Sequence, residues 1–377
     1  VIVAEHGDDS LAPFLLATDK RLHFAWGGVL AYRLVGRTAV VSGDPVGPPG
    51  TASLILADFE RVTRRRGRRV ALTAAGAANL DEYRELGFET LCIGEEAVVD
   101  PAGFSLSGRA MKALRHSVTR QTRLGWGIEL LAGRDLNAGQ VREIDELERG
   151  WRNSQDRITG FAMTLGRLWG AVEDDTSLFV LGRDPDGRLR AFLRFARYPD
   201  GLSLDVMRRF GETPNGLVDA MVVATIEWVG ASGLRAVSLN FAGFAQIMAP
   251  GRAQTRGAKL VRGLLSRTHG CFQLEKLVMF NKKFRPRWEP RYLVYRGRHT
   301  LPSAGLRVLQ AEGYLPAPRR TALLGRWEPL SRPWSSTAVR PAPAANSATA
   351  TQVPDRENWG AMWSETRPEI AAASATA

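Results

Sequence analysis

Five basic side chains recur at helical spacing near the middle of this 377-residue chain: Arg109, Lys112, His116, Arg120 and Arg123. At 100° per residue they fall in a stripe roughly 80° wide, with Met111, Leu114 and Val118 on the other side. No acid interrupts residues 103–127. Such a stripe can bind a polyphosphate; it can equally be the solvated face of an amphipathic helix, and the sequence leaves both open. A second basic run, Arg61, Arg64, Arg65, Arg66, Arg68 and Arg69, reads as a helix end plus a turn. Asp205 sits in an alternating strand pattern where Leu202, Leu204 and Val206 point one way. It should therefore point the other way with Ser203 and Met207, as a hydrogen-bonded strand acid at the least. Asn215 opens a helix and suits a cap.

Other chemistries find no residues to carry them. There are two cysteines and five histidines, with no CxxC pair, zinc knuckle or HExxH spacing, so a metal or redox enzyme is not expected. No GxSxG elbow, GxxxxGK[ST] loop or GxGxxG fingerprint occurs. Lys and Arg total 51 against 39 acids, a net charge of +12, which favours a polyanionic partner such as RNA or an anionic membrane face. The most apolar long stretch, Leu217 to Leu234, carries Asp219 and Glu227 and reads as a helix of a water-exposed protein, without a bilayer span. The chain opens at Val1 without an initiator Met and fits a portion of something longer.

Two blocks repeat one plan. In the first, strands 29–35 and 38–42 flank Gly36-Arg37. A Gly/Pro loop, a helix over 51–66, a strand over 69–73, a helix over 80–86 and a strand over 89–93 follow. In the second, strands 177–182 and 189–198 flank a Pro185-Asp186-Gly187 turn. A strand over 202–207, the loop 208–216, a helix of about 15 residues from Leu217 and a strand over 236–240 come next. Between the blocks lies the basic helix, 107–124. The expected division is 1–105, a connecting helix 106–130, a second domain 131–325, and a Pro/Ala/Ser/Thr-rich disordered tail over 333–377.

Tyr83-Arg84-Glu85-Leu86-Gly87-Phe88 is the YxxLGF helix-to-strand pattern common in the GNAT acyltransferase fold. The pyrophosphate loop of acetyl-CoA users, (Q/R)xxGx(G/A), is missing. Further segments, in order, resemble the cytosolic transferase domain of the bacterial phosphatidylglycerol lysyltransferases (the multiple peptide resistance factor family). They include Ser42-Gly43-Asp44-Pro45-Val46-Gly47, Ile93-Gly94-Glu95-Glu96-Ala97, Leu204-Asp205-Val206-Met207-Arg208, Pro214-Asn215-Gly216 and Lys283-Phe284-Arg285-Pro286-Arg287-Trp288. The resemblance covers roughly residues 1 to 300 of the chain.

That resemblance implies an α/β fold of tandem GNAT-like domains, related to the Fem peptidyltransferases. It implies transfer of an aminoacyl group, lysyl first, from aminoacyl-tRNA to the glycerol hydroxyl of phosphatidylglycerol, lowering the membrane's negative charge. Donor and lipid would approach from opposite ends of a passage at the cytoplasmic face of the membrane, with an N-terminal membrane-spanning flippase region in a longer parent. No cofactor is expected beyond aminoacyl-tRNA as co-substrate. Asp205 is the implied base or ammonium-orienting acid, and Lys283 the lysine that holds a lipid phosphate or the oxyanion. Arg208 and Arg285 are candidate phosphate ligands, joined by Asn215 and the basic stripe. The alternatives are a soluble small-molecule acceptor, a GNAT-type N-acetyltransferase, and a non-catalytic RNA- or membrane-binding module.

Overall fold

The computed structural model describes residues 1–153, 162–169, 175–243 and 270–316. The tail expected from 333 onward lies outside the described residues. A short helix, α1 (Ile2–His6), and a 3-10 turn over Ala12–Leu16 precede an antiparallel meander, β1 (Arg21–Ala25), β2 (Gly28–Val35) and β3 (Thr38–Ser42). Helix α2 (Ala52–Arg65) crosses back to β4 (Arg69–Ala75), parallel to β3, and α3 (Leu80–Glu85) leads into β5 (Glu89–Val99). Helix α4 (Lys112–Arg123), β6 (Gly127–Ala132) and α5 (Ala138–Asn153) come next. A second meander, β7 (Leu178–Arg183), β8 (Leu189–Tyr198) and β9 (Gly201–Arg209), crosses through α6 (Leu217–Ala231) to the parallel strand β10 (Ala236–Gly243). Helix α7 (Gly270–Lys282), β11 (Arg287–Tyr295) and α8 (Leu301–Ala311) complete the described chain.

All eleven strands among the described residues belong to one sheet, in the order β1-β2-β3-β4-β11-β5-β10-β9-β8-β7-β6. The middle is exchanged. β5, made early, pairs with β10 of the second block, whereas β11, made late, pairs with β4 of the first, and the two pair with each other. Each block therefore completes its sheet with a strand from the other end of the chain.

The sheet separates two layers. Val294 packs with Ile55 and Phe59 of α2, and Leu193 and Phe195 pack with Met221 and Ile226 of α6. On the opposite face Leu293 meets Val308 of α8, and Phe192 meets Ile144 and Leu147 of α5. Helix α6 is buried nearly all round because the sheet lies beneath it and α4 crosses over it, which is why its sequence is apolar with little periodicity. Helix α5 was not read from the sequence, although its start carries a reciprocal cap. The Asn137 side chain accepts from the Gly139 and Gln140 N–H groups, and the Gln140 side chain accepts from the Asn137 N–H.

Helix α4 begins at Lys112, five residues later than the expected start at 107. Gly108 takes φ +82°, a left-handed conformation that breaks helical phase, and Arg115 donates to the Gly108 carbonyl at 3.2 Å. Arg109 thus precedes the helix and leaves the basic stripe.

Candidate active site

The two parallel strand pairs behave differently. β3 and β4 stay paired over five residues, from Thr38 opposite Arg69 to Ser42 opposite Thr73. β9 and β10 pair only at Gly201, Leu202 and Ser203 opposite Ala236, Val237 and Ser238. The backbone then parts. The Leu204 carbonyl, which the ladder would have served, accepts instead from the Asn240 side-chain amide at 2.7 Å, and the same Nδ2 reaches the Met163 carbonyl at 2.9 Å. Asn240 itself adopts φ +76°.

At this split β9 also carries an extra residue. Phe195 lies opposite Leu204 but Arg194 opposite Val206, so Asp205 is a bulge. The bulge overturns the simple alternation expected from the sequence. Leu202, Leu204 and Met207 face the α6 layer, whereas Val206 packs in the α5 layer. Asp205 turns to the α5 side, where its side chain and that of Arg194 are 0% exposed. Arg194 Nε donates to Asp205 Oδ2 at 2.7 Å and its Nη1 to the Leu168 carbonyl at 2.7 Å, while the Leu165 N–H donates to Asp205 Oδ1 at 2.9 Å. Lys20 lies near Asp205 and Glu312, and burial pulls its ammonium down to about 7 against their attraction.

At the C-terminal end of β9, reaching from the opposite face round to Trp151 of α5, is a cavity of about 1410 Å³. α4 supplies His116, Arg120 and Arg123 to its wall, the loop before α6 supplies Asn215, and α7 and the turn after it supply Lys276, Phe280 and Lys283. Arg209 and Trp151 also line it. Lys283 Nζ donates to both Asp219 oxygens at 2.9 Å, and Ser117 Oγ donates to Asp219 Oδ2 at 3.2 Å. The Lys283 side chain is 45% exposed and Asp219 only 9%, so the carboxylate anchors an ammonium that faces the cavity. Asp219, Ser117 and Lys276 were missed from the sequence. The signal for Asp219 was an acid in the first turn of an otherwise apolar helix, a place where a carboxylate needs a partner.

The structure thus brings His116, Arg120, Arg123, Asn215 and Lys283 to one cavity and leaves other candidates outside its wall. Lys112 does not line it, although it lies on α4, and neither does Arg109. Arg208 points to the other face. There it pairs with Glu148 of α5 at 2.8 Å and stacks 3.5 Å over the Trp151 ring, and burial lowers its guanidinium pKa against the pull of Glu148. Arg285 is exposed after α7 with φ +51° and lies outside the cavity wall. Asn215 makes no side-chain cap, since Gly216 occupies the N-cap of α6; its carbonyl accepts from Gln121 Nε2 at 3.1 Å. Asp205, Arg208 and Lys283 therefore do not form one cluster: Asp205 faces away from Leu204, on the side opposite Lys283.

The start of α6 borders the cavity but differs from a pyrophosphate cradle of the acetyl-CoA type. A Cβ at Gly216 would meet Ser117 Oγ at 2.7 Å, so α4 lies directly over the helix start. Asp219 also puts negative charge where a helix N-terminus would otherwise attract an anion. Among the described residues no group of three or more His, Cys, Asp or Glu side chains could hold a metal ion, and no helix is long and apolar enough to cross a membrane.

Residues 1–295 match the family described as phosphatidylglycerol lysyltransferase, C-terminal. The lysylphosphatidylglycerol biosynthesis bifunctional protein LysX of Mycobacterium ulcerans is 34% identical over 315 residues, 82% of this chain and 28% of its own length. LysX of Mycobacterium tuberculosis strain H37Rv is 34% identical over 316 residues, 82% of this chain and 27% of its own. The chain therefore spans little more than a quarter of these relatives. Among solved structures, L-PGS from Bacillus licheniformis superimposes with a TM-score of 0.67 at 22% identity, covering 83% of this chain and 95% of that one. The C-terminal domain of a putative lysylphosphatidylglycerol synthetase from Agrobacterium fabrum gives 0.69 at 23% identity, covering 84% and 96%. These two share the fold of this chain. By the family match and the LysX identity, the chain belongs to the phosphatidylglycerol lysyltransferase C-terminal family.

Proposed function

We propose that this chain transfers an aminoacyl group, lysyl first, from aminoacyl-tRNA to the glycerol hydroxyl of phosphatidylglycerol. The observation that carries the reading is the cationic cavity at the end of β9, beside the point where β9 and β10 part. An aminoacyl ester is already activated, so the protein's task is alignment and charge stabilisation. The lipid hydroxyl oxygen bonds to the ester carbonyl carbon, the carbon–oxygen bond to the terminal ribose breaks, and the hydroxyl proton ends on the ribose oxygen.

His116, Arg120, Arg123 and Lys276 are suited to the phosphates of the tRNA acceptor end, because four cationic or protonatable side chains share one concave wall. Lys283, oriented by Asp219, has ammonium protons to offer a lipid phosphate or the developing oxyanion. Asp205 enters as a positioning residue: locked to Arg194 and the Leu165 N–H, it fixes the bulge at the strand split from which the acceptor would approach. No cofactor beyond aminoacyl-tRNA enters this scheme. The reaction belongs at the cytoplasmic face of the membrane, with the chain as part of a longer membrane-associated protein, in keeping with the much greater length of its LysX relatives.

The test is incubation with labelled aminoacyl-tRNAs and phosphatidylglycerol vesicles, followed by organic extraction. Label in the extract supports the reading. Label that stays aqueous on a small acceptor, or consumption of acetyl-CoA instead, overturns it.

A further inference from the structure

The basic run at the end of α2, read from the sequence as a helix end plus a turn, is also the wall of a second cavity, of about 420 Å³. It lies in the first half of the sheet and shares no lining residue with the cavity around Lys283. Arg64 from α2, Arg68 from the turn after it, Arg69 from the start of β4, and Arg296 and His299 from the turn before α8 meet there. These segments are far apart in sequence, so the fold gathers the charge; a single helix end would not. Glu60 is the one acid in the wall, and Arg296 takes it up through Nη2 at 2.6 Å. Arg69 Nη1 reaches Ser303 Oγ at 3.4 Å, which adds a hydroxyl to the cationic wall. The guanidinium of Arg68 is held below its usual range, first by burial and then by repulsion from Arg66, so a bound anion would relieve it.

We infer that this cavity is a second docking site for the phosphodiester backbone of the donor RNA, away from the reacting end. The inference rests on aminoacyl-tRNA being the donor. The charge extends beyond what one phosphate needs: Arg37 reaches the Gly67 carbonyl of the wall at 3.2 Å, and Arg65, next to Arg64, is exposed. A membrane surface fits less well, because none of the exposed large apolar side chains among the described residues lines this cavity.

The experiment is the salt dependence of uncharged tRNA binding, read by anisotropy on the intact chain. The double variant Arg64→Gln/Arg69→Gln should lower the log–log salt slope by about 2 and weaken binding about 60-fold near 0.1 M salt, since each phosphate contact contributes about 0.9 to the slope. The control Arg142→Gln/Arg188→Gln removes the same charge from exposed positions in the second half and should leave the slope within about 0.5 of wild type. Ser303→Glu, which places a carboxylate in the cavity wall without removing an arginine, should weaken tRNA binding in the same direction. Equal slopes for wild type and both cavity variants would overturn the inference while leaving the transfer reaction intact. So would a cavity variant that loses affinity for phosphatidylglycerol vesicles and keeps its tRNA slope. Wild type that binds no tRNA would overturn both this site and the proposed donor.

Discussion

The first half of the sheet holds its parallel strands together and the second half lets them go. β3 and β4 close every rung from Thr38 to Ser42, while β9 and β10 stop after Ser203 and hand the next carbonyl to the side chain of Asn240. The same strand–helix–strand plan therefore serves two purposes. Where the ladder is complete, the plan makes core; where it is interrupted, side chains must replace backbone partners, and a buried ion pair, a bulge and a cavity gather at the gap. The acids show the same contrast. Asp44, in the loop after β3, is used up locally by the Tyr83 hydroxyl at 2.6 Å and the Gly76 N–H at 2.6 Å. Asp219, in the first turn after the β9 loop, instead presents a lysine to a cavity.

The largest expected effect is at the interrupted pair. Asp205→Ala leaves the fully buried Arg194 without its carboxylate and should cost about 3–5 kcal/mol in urea unfolding. A loss under about 1 kcal/mol would mean that the split does not depend on this ion pair. Lys283→Ala should reduce transfer about 100-fold, in the range seen for removal of one oxyanion donor, and should also lower the unfolding midpoint because Asp219 loses its ammonium partner. A variant that keeps the wild-type rate removes Lys283 from the scheme. Asn240→Ala leaves the Leu204 and Met163 carbonyls short of a donor and should cost about 1–3 kcal/mol.

Asp44 supplies a pH test of the closed half. Burial, with Asp9 nearby, raises its carboxyl from 3.8 to about 6 despite the Tyr83 and Gly76 hydrogen bonds. An acid whose folded pKa is raised disfavours the folded state as it ionises. Its penalty is absent below about 4, grows as pH rises towards 6 and is complete above that. Asp44→Asn should therefore gain stability relative to wild type across pH 4–6, measured by unfolding at each pH, and parallel curves would show that Asp44 ionises without cost. The smallest effect belongs to Thr73→Val, on the intact ladder. The Thr73 hydroxyl is buried and makes no hydrogen bond among the described residues, so the change should stay within about 0.5 kcal/mol.

Local signals were legible and long-range ones were not. Apolar patterning and the flanking glycines placed α6 at Leu217–Ala231 and both hairpins, because those signals lie within a few residues of the elements they shape. The α4 cavity wall was read in part: the stripe gave His116, Arg120 and Arg123, but Gly108 ended it before Arg109. The side of the strand on which Asp205 lies, away from Leu202 and Leu204, was legible, but the reversed facing of Val206 and Met207 was not, since a bulge depends on the register of β8 against β9 and leaves no mark in the period-two pattern. The entry of β11 between β4 and β5 was equally hidden, because strand neighbours so far apart in sequence are chosen by the whole sheet.

That exchange of central strands also bears on how the protein is made. A nascent chain that has emerged through residue 105 holds β1 to β5 but lacks the neighbour that sits between β4 and β5, and it must wait for residues 287–295. At about 5–20 residues per second, that delay is about 10 to 40 seconds during which two strand edges stand open. The gap between β4 and β5 thus closes last, so the sheet is completed by a final stitch rather than bead by bead.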